Sequence, residues 1–327
     1  MNYNEKNLFE RVLVRQTEME SDRQPLEADY DRIIDHFRPD LVRFKDYDGE
    51  IPRGILGANI YEGTGPWAMR LMSDGMQGNL VSSSIVWLRY AVGDKKYKGN
   101  DALNKWLQEF EEFMLSSYSD ENSNFYSAMG AFTRHGITTG SPVILPELDP
   151  VSGRIIDIIP HPATRYLMQN RFGIPNGLHI KSKWTIRNAV DTFGLDKMSA
   201  QTRRNWENGN DKEKITIIRA IYFFRDRIFK DLPGGAKTEG VTVLEDNKEN
   251  TYKTFNPRWP WVSIYCEEGC SLPDEKTPLR VEGYFSKPFM VWHYEKDPSE
   301  IYSRTPAWFS FYDVKSANQM RKSIMMA

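Results

Sequence analysis

Hydrophobic periodicity switches back and forth along this chain, and the order of the switches restricts the fold more than any single residue: helical, strand, helical, strand, helical. A β-rich module therefore sits between two helical segments. That is an α+β organisation, not the regular alternation of a parallel α/β fold. No tandem repeat or low-complexity tract interrupts the order.

The first third reads as helices. Leu8, Phe9, Val12, Leu13 and Met19 mark one apolar stripe; Pro25, at a first helical position, opens a second through Leu26, Tyr30, Ile33, Ile34 and Phe37, which Pro39 stops. Glycines crowd between Gly49 and Gly65, and Pro66 then starts a helix with Trp67, Leu71, Met72, Met76 and Leu80. Gly75 and Gly78 inside it each cost about 1 kcal/mol relative to Ala, which predicts close approach of a neighbouring backbone. SSSIVWLRY is strand-like. Asn100 or Asp101 caps the clearest helix, with Leu103, Trp106, Leu107, Phe110, Phe113 and Met114 on one face, and Phe125, Met129 and Phe132 mark another that Gly136 ends.

Strand texture follows. SPVILPELD and RIIDIIP form one hairpin about Pro150 to Gly153; ATRYLMQN and NGLHIKSKW form a second about Arg171 to Gly173. Ile186, Val190 and Phe193 return to helical spacing, continued by MSAQTRRNWENGN. From Lys214 to Tyr294 the strands KITIIRAIYFF, TYKTF, WPWVSIY and PFMVWHY flank an insert near LPGGAKTEG. FMVWHY, apolar on both faces, reads as a central strand, whereas Pro260 confines WPWVSIY to an edge or bulge. The last stretch, TPAWFSFYDVKSANQM, starts a helix at Pro306 with Phe311, Val314, Ala317 and Ile324 on one face and Lys315, Gln319 and Lys322 on another.

The totals exclude several function classes. At 327 residues the chain is long enough for roughly two domains and can bury about three quarters of its extended surface. Lys+Arg 43 against Asp+Glu 45 gives a net charge of -2, so no chain-wide basic field holds nucleic acid by counterion release. Aromatics make up 13% of a chain whose mean hydropathy is -0.59, a mixture suited to wet interfaces as well as cores. Cys266 and Cys270 are too close for a long staple and lack the second pair of a zinc site, so they read as free thiols. No apolar run approaches the roughly 20 residues that span a bilayer, and no charged, then apolar, segment opens the chain.

Catalytic and ligand motifs are equally sparse. Gly63-Thr64-Gly65 precedes a helix but lacks the Gly-Lys-Ser/Thr ending of a phosphate loop, so loop-plus-cap is favoured. DYDGE at Asp46 to Glu50 lacks the later ligands of a calcium loop. His293-Tyr294-Glu295 has the H-x-E of zinc deaminases without the P-C-x-x-C, and reads as a core or rim histidine. Neither G-x-S-x-G nor H-E-x-x-H occurs. No catalytic residue, metal ligand or cofactor is assigned.

An ordered set of segments nevertheless resembles the head-to-tail connecting (portal) proteins of short-tailed bacteriophages, over essentially the whole chain as an N-terminal portion. The segments are RQPLEADYDRIIDHFRPD, WAMRLMSDGMQGNLVSSSIVWLRY, HGITTGSPVILPE, RIIDIIPHPATRYLMQNRFGIPNGLHI, WTIRNAVDTFG and, most specific, EIYSRTPAWFSFYDVKSANQM. Ser303 stands where the family often has Gly. The helical pattern still runs at Ala327, so a C-terminal part with further wing, tunnel loop and crown is expected.

The resemblance implies an α/β wing over residues 1–183, a first stem helix over 184–211, a β-rich clip inserted over 212–296 and a second stem helix over 297–327. It further implies a ring, dodecameric in this family, at the capsid portal vertex of the virion, assembled in the host cytoplasm. Double-stranded DNA would pass through without sequence readout. Major capsid and scaffolding proteins, a terminase motor and tail adaptors would be partners, and the chain would be no enzyme. On that reading Trp259, Trp261, Trp308 and Phe311 are subunit-interface candidates, and Lys315, Gln319 and Lys322 line the channel. Two other classes compete: a terminase-like enzyme, which the missing phosphate loop opposes, and a tail-associated carbohydrate-binding or carbohydrate-active protein, which would need aromatic platforms and paired carboxylates in a cleft.

Overall fold

A computed structural model describes residues 5–48, 60–93, 99–149, 153–223, 260–269 and 278–327. Its helices are α1 (Glu5–Phe37), α2 (Thr64–Leu80), α3 (Asp101–Tyr118), α4 (Phe125–Thr138), α5 (Ile186–Phe193), α6 (Ala200–Glu207), α7 (Pro306–Phe309) and α8 (Phe311–Met326). Its strands are β1 (Val143–Leu148), β2 (Ile155–Ile158), β3 (Arg165–Gln169), β4 (Pro175–Thr185), β5 (Lys214–Phe223), β6 (Trp261–Glu267), β7 (Arg280–Tyr284) and β8 (Met290–Val291). Mixed helix and sheet agree with α+β.

Five strands form an antiparallel meander in the order β3-β4-β5-β6-β7, and a smaller sheet runs β2-β1-β8. Both hairpins read from the sequence are present, the second turning at Gly173 with φ +74°. One face of the larger sheet presents Tyr166, Ile218, Ala220, Tyr222, Val262 and Ile264 to Phe9, Val12 and Met19 of α1. The other buries Leu167, Leu178, Ile221 and Trp261 against Val143, Leu145 and Phe289.

Helix α1 is the strut of the molecule. At 33 residues it is about 50 Å long, so one end packs on the sheet while Ile33 and Phe37 at the other join Met69, Ile137 and Ala307. Pro25 lies inside it, not at the start of a second helix as expected. A proline there forfeits one backbone hydrogen bond. The guanidinium of Arg23, 3% exposed, anchors this stretch: it donates to the backbone carbonyls of Arg165 (2.7 Å) and Ala163 (2.9 Å), pairs with Glu27 (2.7 Å) and lies 3.7 Å over the Tyr166 ring.

Four further expectations are corrected. Trp184 to Asn208 is not one helix: Trp184 is still in β4, opposite Ile215, and two eight-residue helices follow. Gly194, with φ +87°, ends α5, and the Ser199 hydroxyl caps α6 by accepting from the Thr202 N–H. The β-rich segment shares a sheet with β3 and β4, because β4 and β5 pair over nine residues from Gly177↔Tyr222 to Thr185↔Lys214. β6 is an interior strand; Pro260 precedes its first residue, where no ladder N–H is lost. FMVWHY contributes only β8, two residues paired with β1.

Two local readings also change. A Cβ at Gly75 or Gly78 would meet nothing within 4 Å, so no close backbone explains them. SSSIVWLRY makes no strand and instead lays Trp87 on Phe125 and Tyr118. Cys266 is buried; Cys270, TYKTF and the LPGGAKTEG insert lie outside the described residues.

Candidate subunit and DNA interface

The C-terminal helix springs from a tightly bonded root. Gly140 and Ser141 both take positive φ (+72° and +45°), and the Ser141 N–H donates to the Ser303 hydroxyl (3.1 Å) while the Ser303 N–H donates to the Ser141 hydroxyl (2.9 Å). The Ser303 side chain thus satisfies a buried donor that glycine at this position would leave without it. His293 Nδ1 lies 3.0 Å from the Ser141 hydroxyl, and burial lowers its pKa to about 4, so it is a neutral structural imidazole. Thr305 Oγ1 donates to the Thr138 carbonyl (2.9 Å) and accepts from the Trp308 N–H (3.2 Å), which caps α7 with Pro306 at its first turn.

The helix expected from Pro306 is broken at Ser310, where α8 begins. Along α8, Phe311, Val314, Asn318 and Lys322 recur on the face turned toward the body. Phe311 packs edge-on to His36 (5.3 Å), Asn318 accepts from two backbone N–H groups, and the Lys322 ammonium sits 5.4 Å from the Tyr61 ring centre. Gly65 is required beneath it: a Cβ there would come within 2.7 Å of Val314 and 3.0 Å of the His36 carbonyl.

The candidate residues therefore fall into separate environments. Lys315 and Gln319 are exposed, whereas Lys322, on the same side of α8 as Lys315, is half-buried against Tyr61. Trp308 and Phe311 are half-buried with Met69 and Phe37, Trp308 edge-on to Tyr30 at 6.2 Å. Trp261 is buried between Phe223 and Phe289. Trp259 lies outside the described residues.

The Glu62 carboxylate accepts from the Thr64 N–H (3.0 Å), so the Gly63 to Gly65 turn is filled by its own acid and is no phosphate cradle. Asp46 pairs with Arg43 and Asp48 with Lys214. Among the described residues no group of three His, Cys, Asp or Glu could hold a metal ion, and no helix is long and apolar enough to cross a membrane.

The family model for "bacteriophage head to tail connecting protein" matches residues 10–327. The chain belongs to this connector family. Among curated connectors it is similar to the "Probable portal protein" of Bordetella phage BPP-1, 24% identical over 323 residues covering 95% of this chain and 51% of that protein. It is also similar to the "Portal protein" of Salmonella phage epsilon15, 23% identical over 326 residues covering 96% of this chain and 52% of that protein. The chain spans about half the length of these curated relatives.

What sequence reading missed at this surface is its exposed apolar part. Tyr312, Met320 and Ile324 point outward from α8, and α3 contains no buried residue although its periodicity reads as a core helix. Periodicity finds an apolar face; it does not say whether the partner belongs to the same chain.

Proposed function

We propose that this chain is a structural subunit of a head-to-tail connector ring at one vertex of a phage capsid, a conduit for double-stranded DNA during packaging and ejection. The match to the connector family across residues 10–327 carries this reading. The printed names of the two relatives point the same way. In this scheme α8 is the second stem helix and the strands from Lys214 to Val291 include the clip.

Lys315 and Gln319, free of the body, are the channel-facing candidates; Lys322 steadies α8 through Tyr61 instead. Two polar side chains per subunit and a net charge of -2 favour weak, sequence-blind contact with phosphates, since each neutralised phosphate adds affinity and hence drag. The packaging force comes from a separate terminase motor, and capsid, scaffolding and tail adaptor proteins bind the ring's outer surfaces. Neither the terminase-like reading nor the carbohydrate reading finds a site in the described residues.

Negative-stain microscopy of the purified chain tests this. Closed rings of about a dozen subunits are expected; a protein that stays monomeric at micromolar concentration, or that hydrolyses ATP unaided, overturns it.

A further inference from the structure

We infer that Asn208 is a site of spontaneous covalent modification, where the side-chain amide is lost to attack by the Gly209 backbone nitrogen and an aspartate or isoaspartate takes its place. Asn-Gly occurs twice in the chain, at Asn176-Gly177 and at Asn208-Gly209, and the fold treats the two differently.

The chemistry needs only the chain and water. The Gly209 nitrogen bonds to the side-chain carbonyl carbon of Asn208, the bond from that carbon to the amide nitrogen breaks, and the amide nitrogen leaves as ammonia with the proton that Gly209 gives up. Water then opens the cyclic imide at either carbonyl, leaving a carboxylate where a neutral amide stood. Glycine in the second position favours the step, because without a Cβ its backbone turns freely and its nitrogen is unshielded.

Asn208 sits where this can happen. It follows the last residue of α6; Glu207 to Asn210 are all exposed, Gly209 has φ +78°, and a Cβ on Gly209 would meet nothing within 4 Å. Two backbone hydrogen bonds hold the turn, from the Asn208 N–H to the Arg204 carbonyl (2.9 Å) and from the Gly209 N–H to the Trp206 carbonyl (3.0 Å). The second of these withholds the attacking nitrogen, and ψ of 1° at Asn208 turns it away from the side chain, so ring closure requires the last turn to open. At the exposed end of an eight-residue helix that opening is cheap, since helix ends fray.

Asn176-Gly177 is closed to the same reaction. Both residues lie in β4, and Gly177 is buried between β3 and β5, opposite Met168 and Tyr222, where a Cβ would collide with the Met168 side chain. Freeing its nitrogen means opening the five-stranded sheet between two paired strands. At Asn208 the product also acts on the fold: a carboxylate next to Glu207, at the carbonyl end of α6, is disfavoured by the helix dipole and loosens the last turn further.

Incubation of the full-length protein at mildly alkaline pH in water carrying heavy oxygen tests the assignment, followed by digestion and peptide mass mapping. Residue 208 is expected to become a mixture of aspartate and isoaspartate with one heavy oxygen in the new carboxylate, at least about ten-fold faster than residue 176. In concentrated urea the two sites are expected to convert at similar rates, because the same dipeptide is then equally free. Conversion at residue 208 no faster than at residue 176 in the folded protein, product without isoaspartate, or the same preference for residue 208 in urea overturns the inference.

Discussion

The side-chain oxygen of Asn318 accepts hydrogen bonds from the backbone N–H of Tyr61 (2.7 Å) and of Glu62 (3.1 Å), fastening the middle of the last helix to a segment more than 250 residues earlier. One acceptor satisfies two donors just ahead of α2. Asn318→Ala leaves both without that partner, at a cost of about 1–2 kcal/mol. Urea unfolding of the unassembled chain is expected to register that loss, and Asn318→Asp, which keeps an acceptor, to lose less. Equal stability of wild type and Asn318→Ala would show that α8 is held by Phe311 and Val314 alone.

Arg23 supplies a second test. Its guanidinium bonds the carbonyls of Pro162, Ala163 and Arg165 and pairs with Glu27 while lying over Tyr166, so it fixes α1 to the start of β3 around Pro25. Arg23→Ala strands those carbonyls and is expected to cost about 3 kcal/mol or more in chemical denaturation. Arg23→Lys is expected to recover little, because a point ammonium cannot reach these carbonyls and the ring face together.

How much of this was legible beforehand depends on how local the cause is. Asn100 caps α3 with its own side chain, and Gly173 turns the β3–β4 hairpin, and both elements are found where the sequence puts them. Pro25 misled because its penalty is offset by contacts far along the chain, the Arg23 clamp on Ala163 and Arg165, and Pro260 because β6 begins only after it, at Trp261. Trp106 and Trp261 carry similar sequence signals. One is exposed and the other buried, since only the fold decides which apolar face finds a cover within the chain.

Acid is expected to weaken the fold well above the carboxylate range. Burial, then Arg15, lowers His179 to about 3, and burial, then Arg165, lowers His135 well below its ordinary value. Both are neutral when folded and take up protons on unfolding. Their contribution is therefore complete above about pH 6.5 and falls as pH drops toward the folded values, by about 1.4 kcal/mol per pH unit for each. His161 and His293 shift in the same direction, chiefly through burial. Urea unfolding at pH 7 and pH 5.5 should differ by at least about 2 kcal/mol, and His179→Gln should reduce that difference.

Trp308 and Phe309 are adjacent, yet their surroundings assign them opposite duties. Trp308 lies half-buried against Tyr30 and within reach of Ile33 and Phe37, so it holds the root of α8 to α1; Phe309 is 54% exposed. Trp308→Ala is expected to cost about 2 kcal/mol in the unassembled chain. Phe309→Ala is expected to change stability by no more than about 0.5 kcal/mol. Weakened ring assembly after Phe309→Ala, read by sedimentation at fixed concentration, would place a neighbouring copy over that ring. If instead Trp308→Ala left the unassembled chain as stable as wild type and only assembly suffered, Trp308 would be the contact residue and the root would have to be held by the Ser141–Ser303 pair and Thr305 alone.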